Sequence, residues 1–515
     1  MSRLESHLKK SRETCEGLFI TGPGKIELKA EPLPGEAFDK KHIVTASLIN
    51  CRCSSDNKAI QQFTTHARVP KTGEPVAIGH ETVQLVLENA PGSGVARGDL
   101  ILITPGHASK PVDPKTFESD PKNGILTSLG YSYRNLGGLR QYNMVPIRAV
   151  SMVEEMGFGK LFNKLNVSLL KKNEWSLATL AHAEPFACCY GTNKNIFTLE
   201  KNRFVYNVPP RVPIAYLGGT SRMAMINLTI VASRPARDLP ETVYITGSQK
   251  KLDELDGFAL IRRLRDKGVR VVLIDRQDPE ISKKLTAFGK PKIIWTNYAS
   301  QEQYDQAVAA LAPGGNLNNY AGASDPAIGF AMKIAPAIRG DDASENPKKE
   351  FDRLHHPLGN TDFRRRFGLR KGGLTGLFNF IDDKAFGKFL ESRSATGRFL
   401  FQKGDAGTRP FNYLKALPAK SRVHLHGASE GSIGVLRMIF PKLVFVETPE
   451  MLDDVLIAGN GEAAASAYAL VEPKLARGAA VSFVDGDTEI FIHSRFSHYT
   501  SRHQICGSNV PWYMT

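Results

Sequence analysis

Residues 212–224 read VPIAYLGGTSRMA, and this stretch decides the fold of the region that follows it. Its apolar core, residues 214–217, has the length and composition of a buried strand. Gly218 and Gly219 come directly after it, and residues 222–233 have the apolar spacing of a helix. A strand, a glycine turn and a helix in this order predict the start of a parallel α/β sheet.

The same rhythm continues for about a hundred residues. Short apolar segments, often β-branched, alternate with helix-like segments, and the sequence APGG at 312–315 ends the last helix. Alternation at this spacing predicts a parallel sheet covered by helices on both faces, which is a doubly wound, Rossmann-type α/β fold. The predicted strands are 214–217, 243–246, 269–274, 292–296 and 316–320, and the predicted helices are 222–233, 250–267, 278–289 and 300–312.

A second, shorter α/β half follows an interruption. Residues 325–420 lose the rhythm and are rich in charge, glycine and phenylalanine. The sequence leaves open whether the second half joins the first sheet or forms its own. Its predicted strands are 422–426, 443–447, 455–458 and 480–484, with a helix at 461–477.

The N-terminal region has a different character. Short β-rich segments such as 43–48 and 83–87 are separated by Gly, Pro and Asp turns. A chain of 515 residues is too long for one ordinary core. We therefore predict four parts: a β-rich domain at 1–190, a Rossmann-type domain at 191–324, a basic insert at 325–420 and a second Rossmann-like segment at 421–515.

The composition is typical of a globular protein in water, with 42% hydrophobic and 23% charged residues. No apolar run reaches the ~18 residues that cross a bilayer, and the N-terminus lacks the apolar core of a signal peptide. Six cysteines in so long a chain do not make a disulfide framework. These features favour a reducing, cytoplasmic location and no membrane partner.

More than half of the net charge of +15 lies in residues 331–420 of the insert. Residues 331–420 hold 18 Lys and Arg against 10 Asp and Glu, a balance of 18 − 10 = +8, and the densest cluster is Arg364, Arg365, Arg366 and Arg370. Such a cluster fits a solvated surface, and it also fits contacts with an anionic substrate. The usual nucleic-acid-binding motifs do not occur in the sequence, so a nucleic-acid partner is not favoured.

Three short stretches in the N-terminal region supply the residue types that bind zinc. They are CRCSSD at 51–56, GHE at 79–81 and AEPFACC at 183–189. Zinc takes thiolate, imidazole and carboxylate ligands together, and a catalytic site keeps one position open. Each stretch alone also fits a structural role, since a buried cysteine is commonly a small core residue.

The order of these stretches and their surroundings resemble the zinc-dependent medium-chain alcohol and polyol dehydrogenases, in particular those of the sorbitol dehydrogenase type. A sorbose-1-phosphate-reductase-like branch is suggested by LAPGGNLN at 311–318. The other motifs that carry the resemblance are GPGKIEL at 22–28, CSSD at 53–56, GHE at 79–81, GGLRQY at 137–142 and the Glu184-Pro185 pair.

This resemblance implies a GroES-like fold for the N-terminal domain and a catalytic zinc within it. Cys53 and His80 would be ligands, and Glu81 and Glu184 would coordinate directly or through water. Ser55 would relay a proton between the substrate oxygen and solvent. From the residues alone, the Cys51 thiol is a rival ligand. Residues 99–150 contain no cysteine, so the structural zinc of many family members is not expected.

The turn LGGTSRMA at 217–224 resembles the family's Gly-Gly-Thr-Gly-Arg-Met-Gly nucleotide turn, with Ser221 and Ala224 in place of its later glycines. After the second strand, Ser248, Lys250 and Lys251 stand where a carboxylate would hold a ribose hydroxyl, which favours NADP over NAD. The two lysines also fit the start of a solvated helix. A second turn, GASEGSIG at 427–434, fits a diverged nucleotide turn or an ordinary strand-to-helix connection. The predicted cofactor contacts are Gly218, Gly219, Thr220, Ser221, Arg222, Met223, Ser248 and Lys250.

The implied function is a zinc-dependent, NAD(P)-dependent oxidoreductase that interconverts a polyol or sugar alcohol, free or phosphorylated, and its ketose. The alternative is a repurposed family member that binds a nucleotide or a partner, which Ser221 and the insert both permit. The resemblance also leads us to expect a small-molecule substrate and a homo-oligomer.

Overall fold

The computed structural model divides the chain into two compact units, Met1–Cys189 and Tyr190–Thr515. In the part of the chain that it describes, no helix is long and apolar enough to cross a membrane. The described residues are 5–6, 9, 13–31, 42–65, 69, 72–103, 137–146, 162–200, 203–321, 325, 327–334, 374–378, 414, 417, 419–447, 452–457, 461–483, 488–493, 503–506 and 512–514.

The first unit is built on antiparallel sheets. Its strands are β1 (Cys15–Gly22), β2 (Lys25–Glu31), β3 (His42–Cys51), β4 (Val76–Ala77), β5 (Glu81–Glu88), β6 (Leu100–Ile103), β7 (Tyr142–Pro146) and β8 (Phe162–Lys164). Its helices are α1 (Ser54–Gln62), α2 (Val167–Lys172), α3 (Leu177–Ala181) and α4 (Ala183–Asn195), which continues past the unit boundary, with a 3-10 turn at Phe63–Thr65.

The larger sheet of this unit has the order β7-β3-β5-β6-β8, and a smaller one has the order β2-β1-β4. Strand β5 is central and buried along nearly all of its length, so its polar side chains need partners inside the sheet. Gln84 finds one in the Thr45 hydroxyl of β3, which donates to its Oε1 at 2.9 Å. The apolar face beside β5 packs Ile43, Val86 and Ile101 into one core.

The second unit begins with the predicted parallel sheet. After a hairpin of β9 (Phe197–Glu200) and β10 (Arg203–Tyr206), its strands are β11 (Pro213–Leu217), β12 (Thr242–Gly247), β13 (Arg270–Asp275), β14 (Ile293–Thr296) and β15 (Asn316–Asn319). The order β13-β12-β11-β14-β15, parallel throughout, is that of a doubly wound nucleotide-binding fold. The predicted α/β fold class is confirmed.

The helices of this half are shorter than the sequence predicts. The predicted helix 250–267 is two helices, because Phe258, the N-cap of the second, has extended backbone angles. The predicted helix 278–289 is a single turn flanked by other turns. The helices are α5 (Arg222–Ala232), α6 (Gln249–Asp256), α7 (Ala259–Asp266), α8 (Ile281–Lys284) and α9 (Gln301–Ala310), with a 3-10 turn at Ala236–Asp238.

The second half joins the same sheet, which answers the question that the sequence left open. Strand β16 (Gly329–Ile334) follows the first half in the chain. The strands of the second half are β17 (Leu374–Phe378), β18 (Arg422–His426), β19 (Val444–Phe445), β20 (Leu452–Ile457), β21 (Leu475–Phe483), β22 (Thr488–His493), β23 (His503–Cys506) and β24 (Trp512–Met514), and of these β22 pairs with β16 in a separate two-stranded sheet. Its helices are α10 (Glu430–Ile439) and α11 (Gly461–Val471), with a 3-10 turn at Glu472–Lys474. The whole sheet has twelve strands, in the order β13-β12-β11-β14-β15-β24-β23-β21-β20-β17-β18-β19.

Several features of this region differ from the sequence analysis. Strands β16 and β17 fall inside the segment 325–420, and β22, β23 and β24 follow residue 484, where no strands were predicted. Strand β17 pairs with β18 and β20. The predicted helix 461–477 ends at Val471, because Pro473 stands in a 3-10 turn and Leu475 already begins β21. The arginine cluster 364–370 lies outside the described residues, so its contact with a substrate stays a prediction.

Candidate active site

The first site residue, Cys53, lies where β3 gives way to α1. Strand β3 pairs with β5 so that Cys51 faces Glu81 across the ladder. Two residues later Cys53 is the N-cap of α1, with extended backbone angles. The N-terminal end of a helix carries positive partial charge, which favours an anionic ligand such as a thiolate.

His80 and Glu81 reach the same place from the start of β5. The preceding Gly79 has φ +97, and a Cβ there would lie 2.7 Å from Asn50 Oδ1. Only glycine suits this conformation and this close approach. The turn directs the chain so that His80 and Glu81 are both buried, Glu81 completely.

Cys53, His80 and Glu81 form one group. Each offers one ligand atom, and the three atoms lie within 4.8 Å of one another. Cys53 is half-buried, whereas His80 and Glu81 are buried. A thiolate, an imidazole and a carboxylate gathered at this spacing fit a zinc ion with an open position.

The two ring nitrogens of His80 have different neighbours. Nδ1 lies 3.4 Å from Oδ1 of Asp56, a carboxylate with no exposed surface. Nε2 lies 3.3 Å from the Ser55 hydroxyl. With Nδ1 directed at Asp56, Nε2 is the nitrogen available to a metal, in the arrangement of carboxylate, histidine and metal that orients many zinc ligands.

Asp56 is a candidate site residue that the sequence analysis missed. Its second oxygen, Oδ2, accepts a hydrogen bond from the backbone N–H of Cys53 at 2.9 Å. One carboxylate therefore steadies both Cys53 and His80. The signal in the sequence was its position three residues after the N-cap, where an acidic side chain commonly bonds back to the cap.

Glu184 lies in the first turn of α4, outside the group of three. Its Oε1 accepts a hydrogen bond from the Cys188 thiol, one turn further along, at 3.2 Å. Burial of the sulfur among protein atoms raises the pKa of Cys188, although solvent reaches the side chain, and the charges of Glu184, Cys189 and Cys53 raise it further. Cys53 and Cys188 therefore lie close enough for the charge of Cys53 to raise the pKa of Cys188. Direct metal ligation by Glu184 stays a prediction.

The rival ligand Cys51 has a different neighbour. Its sulfur lies 3.8 Å from Nδ1 of His182, and it is not part of the group of three. The same Nδ1 lies 2.8 Å from the carbonyl oxygen of Ala178 in α3. Of the two cysteines that compete in the sequence, the structure brings Cys53 to His80 and Glu81.

The glycine turn follows β11, which pairs with β12 on one side and β14 on the other. Ligands of doubly wound sheets bind at this switch point, beyond the carboxyl ends of the strands. Gly218 has φ +68. A Cβ on Gly219 would lie 2.6 Å from the Ile245 side chain and 2.7 Å from the Tyr216 carbonyl oxygen, so this position requires glycine.

Ser221 replaces a glycine of the family pattern and caps α5. Its hydroxyl accepts a hydrogen bond from the N–H of Ala224 at 3.3 Å. Thr220 packs against the end of β12, where a Cβ on Gly247 would lie 2.5 Å from its methyl group. Arg222 and Met223 form the first turn of α5, at the switch point.

The end of β12 carries the predicted NADP residues. Ser248 is the N-cap of α6, but its hydroxyl does not cap the helix, and Lys250 is exposed. Arg276, which the sequence analysis did not single out, lies directly beside this turn. Its backbone N–H donates to the Gly247 carbonyl at 2.8 Å, and its side chain is exposed.

The second glycine turn, residues 427–434, occupies a different place. It follows β18, which is one strand outward from β17. By strand order its counterpart in the first half is the turn after β12, whereas the LGGTSRMA turn follows β11. Its position is therefore not that of a pyrophosphate turn.

No family model matches the chain. The chain is 22% identical over 321 residues to a mannitol-1-phosphate 5-dehydrogenase from Aliivibrio fischeri, covering 59% of this chain and 67% of that protein. Among solved structures it is similar to 2R,3R-butanediol dehydrogenase from Bacillus subtilis (15% identity, TM-score 0.40, 59% of this chain and 76% of that one). It is also similar to Haloferax mediterranei glucose dehydrogenase in complex with NADP, Zn and gluconolactone (14% identity, TM-score 0.41, 59% and 75%). Both TM-scores lie below 0.5, so these two structures carry no argument about function. The function is inferred from the residues of the site.

Proposed function

We propose that the chain is a zinc-dependent oxidoreductase that interconverts a polyol or sugar alcohol and its ketose, with NADP preferred to NAD. The observation that carries this proposal is the group of Cys53, His80 and Glu81, whose ligand atoms lie within 4.8 Å of one another. The sequence similarity to a mannitol-1-phosphate 5-dehydrogenase supports a phosphorylated polyol as the substrate class.

Cys53, His80 and Glu81 would hold the metal, with Glu184 as a further ligand, direct or through water. Zinc, when bound, would draw electron density from the substrate oxygen. The Asp56 carboxylate, with Oδ1 3.4 Å from His80 Nδ1, would favour the proton on Nδ1 and so the tautomer that leaves Nε2 as a ligand. The hydrogen bond from the Cys53 backbone to Asp56 holds the thiolate at the same point.

Ser55 would carry the proton. A bound NADP would supply the hydride acceptor for oxidation of the carbinol to a carbonyl. Ser55 Oγ would take up the hydroxyl proton of the substrate and give its own proton to solvent. The half-buried position of Ser55, 3.3 Å from His80 Nε2, suits a relay between the ligand group and water.

The cofactor would lie along the carboxyl ends of β11 and β12. The turn at Gly218 and Gly219 and the start of α5 would bind the pyrophosphate. Ser248, Lys250 and Arg276 would bind the 2′-phosphate of NADP, because hydroxyl, ammonium and guanidinium groups all donate to phosphate oxygens.

Zinc analysis tests the proposal with a matched cysteine control. We expect one zinc per purified chain, and loss of zinc and of NADP-dependent oxidation of mannitol 1-phosphate or sorbitol in Cys53→Ser and His80→Ala. Cys51→Ser, which changes the neighbouring cysteine outside the ligand group, should keep its zinc. Full zinc in the first two variants would reject the assignment. A wild-type chain without zinc that still binds NADP would favour the repurposed nucleotide-binding protein.

A further inference from the structure

The strand order of the twelve-stranded sheet follows the same pattern when it is counted inward from either edge. From its first edge inward, the order β13-β12-β11-β14-β15 is the third, second, first, fourth and fifth strand of the first half. From its other edge inward, the order β19-β18-β17-β20-β21 is the third, second, first, fourth and fifth strand of the second half. The strands within each half are parallel. The chain therefore contains two copies of one topology.

The two copies meet at one antiparallel strand pair in the middle of the sheet. At the centre of the sheet, β15 pairs in parallel with β24, β24 pairs antiparallel with β23, and β23 pairs in parallel with β21. A single antiparallel junction between two parallel halves is the relation that a two-fold axis produces. Here both sides of the junction belong to one polypeptide.

A separate two-stranded ribbon repeats this relation. Strand β16 follows the fifth strand of the first half, and β22 follows the fifth strand of the second half. The two pair antiparallel over six residues, from Gly329 opposite His493 to Ile334 opposite Thr488. Equivalent strands of the two copies thus pair with each other, as they do across a two-fold interface between identical subunits.

Equivalent helices support the ribbon. Helix α9 precedes the fifth strand of the first half and contacts β16, and α11 precedes the fifth strand of the second half and contacts β22. Tyr304 of α9 packs on Phe330 of β16 with ring centroids 4.0 Å apart. Phe330 faces Ile492 in the ladder, and both side chains are fully buried. The inner face of the ribbon is a closed apolar contact between the two copies.

We infer that the second half takes the place of a partner subunit. It covers, within one polypeptide, the β15 edge of the first sheet and the β16 strand, which an identical copy would otherwise have to cover. An uncovered sheet edge is a site for pairing with another chain. Because the chain covers its own edge, it needs no second copy, and it is a monomer instead of the homo-oligomer expected from the resemblance. This inference does not depend on zinc or on activity.

A disulfide across the ribbon tests which chain supplies β22. Ala331 of β16 stands opposite Phe491 of β22, and Phe491 is 38% exposed, so the pair lies on the outer face of the ribbon. After mild oxidation, the double variant Ala331→Cys/Phe491→Cys should migrate on a non-reducing gel as a single chain with increased mobility. Each single-cysteine variant is the matched control and should not change its mobility. A cross-linked product of two chains would overturn the inference.

The mass of the wild-type protein in solution gives a test that needs no variant. Light scattering should give about one chain mass, 56.6 kDa, at every concentration from low to high micromolar. A stable particle of twice that mass would overturn the inference, even if the double-cysteine variant failed to fold. Neither measurement requires metal or cofactor, so failure of the proposed function would leave both results interpretable.

Discussion

Asp56 contacts two of the three candidate metal ligands, Cys53 and His80. It accepts the Cys53 N–H at 2.9 Å and faces His80 Nδ1 at 3.4 Å, while it is fully buried. Asp56→Asn keeps the shape but replaces the negative charge opposite the imidazole, so we expect zinc affinity to fall roughly 10–100-fold. Competition with a chelating dye measures this. Asp99→Asn, in a turn outside the ligand group, should leave the affinity unchanged, and equal affinities in all three proteins would remove Asp56 from the site.

Arg276 decides the choice of cofactor in our proposal. Its backbone bonds to Gly247, one residue before Ser248, and its side chain is exposed. Arg276→Gln removes a charged donor, and a charge-assisted hydrogen bond is worth about 1.5–3 kcal/mol. The Kd for NADP should therefore rise about tenfold or more, whereas the Kd for NAD should stay the same. Arg262→Gln, on the exposed face of α7, is the control. A parallel loss of both cofactors would mean that Arg276 acts on the fold of the turn.

The sequence could predict site residues that belong to chemically distinctive motifs. It could not predict those that enter the site only because two strands pair. Cys53, His80 and Glu81 were predicted from their residue types and motif order, and the structure brings them together. Arg276 was not, because nothing near it in the sequence marks it. It becomes significant only when β12 and β13 pair, which brings it beside Gly247, 29 residues earlier in the chain.

At the scale of elements, the close approach of α5 to the sheet depends on Gly219. A methyl group there would lie 2.6 Å from Ile245 Cγ2 and 2.7 Å from the Tyr216 backbone oxygen. The Ile245 side chain can move away, but the Tyr216 backbone cannot easily do so. Gly219→Ala should therefore lower the free energy of unfolding by about 1–3 kcal/mol and weaken NADP binding. Gly257→Ala is the matched control, since its new methyl group would meet only the Glu254 oxygen at 3.8 Å. Urea titrations of both variants measure the difference, and equal midpoints would show that the turn tolerates a side chain.

The sequence pattern predicted the first half of the sheet but not strand β17 of the second half. The alternation of strands and helices from 212 to 320 predicted the parallel sheet because four of its five strands, β11, β12, β14 and β15, are buried along all or nearly all of their length. Strand β17, with the sequence LTGLF, is short and lies between charge-rich stretches, so its pairing with β18 and β20 is what defines it. The two-copy order of the sheet follows from that strand, and the sequence therefore could not reveal it.

At the scale of the whole molecule, the two compact units carry different ligand groups. The candidate metal ligands all precede residue 190, and the candidate nucleotide turn lies after it. A ligand that binds only the folded form stabilises the unit that holds it, by about 2.7 kcal/mol at one hundred times its Kd. Zinc and NADP should therefore act on different unfolding transitions.

The three tryptophans allow this to be measured unit by unit. Trp175 is 53% exposed in the first unit, whereas Trp295 is fully buried in the second, stacked on Tyr216 at 4.5 Å, and Trp512 is also in the second. In Trp175→Phe, fluorescence then reports on the second unit alone. Zinc removal should leave its thermal midpoint unchanged, and saturating NADP should raise it by several degrees. In Trp295→Phe/Trp512→Phe, where only Trp175 remains, zinc removal should lower the midpoint and NADP should not change it. If each ligand shifts both signals equally, the two units unfold as one cooperative block.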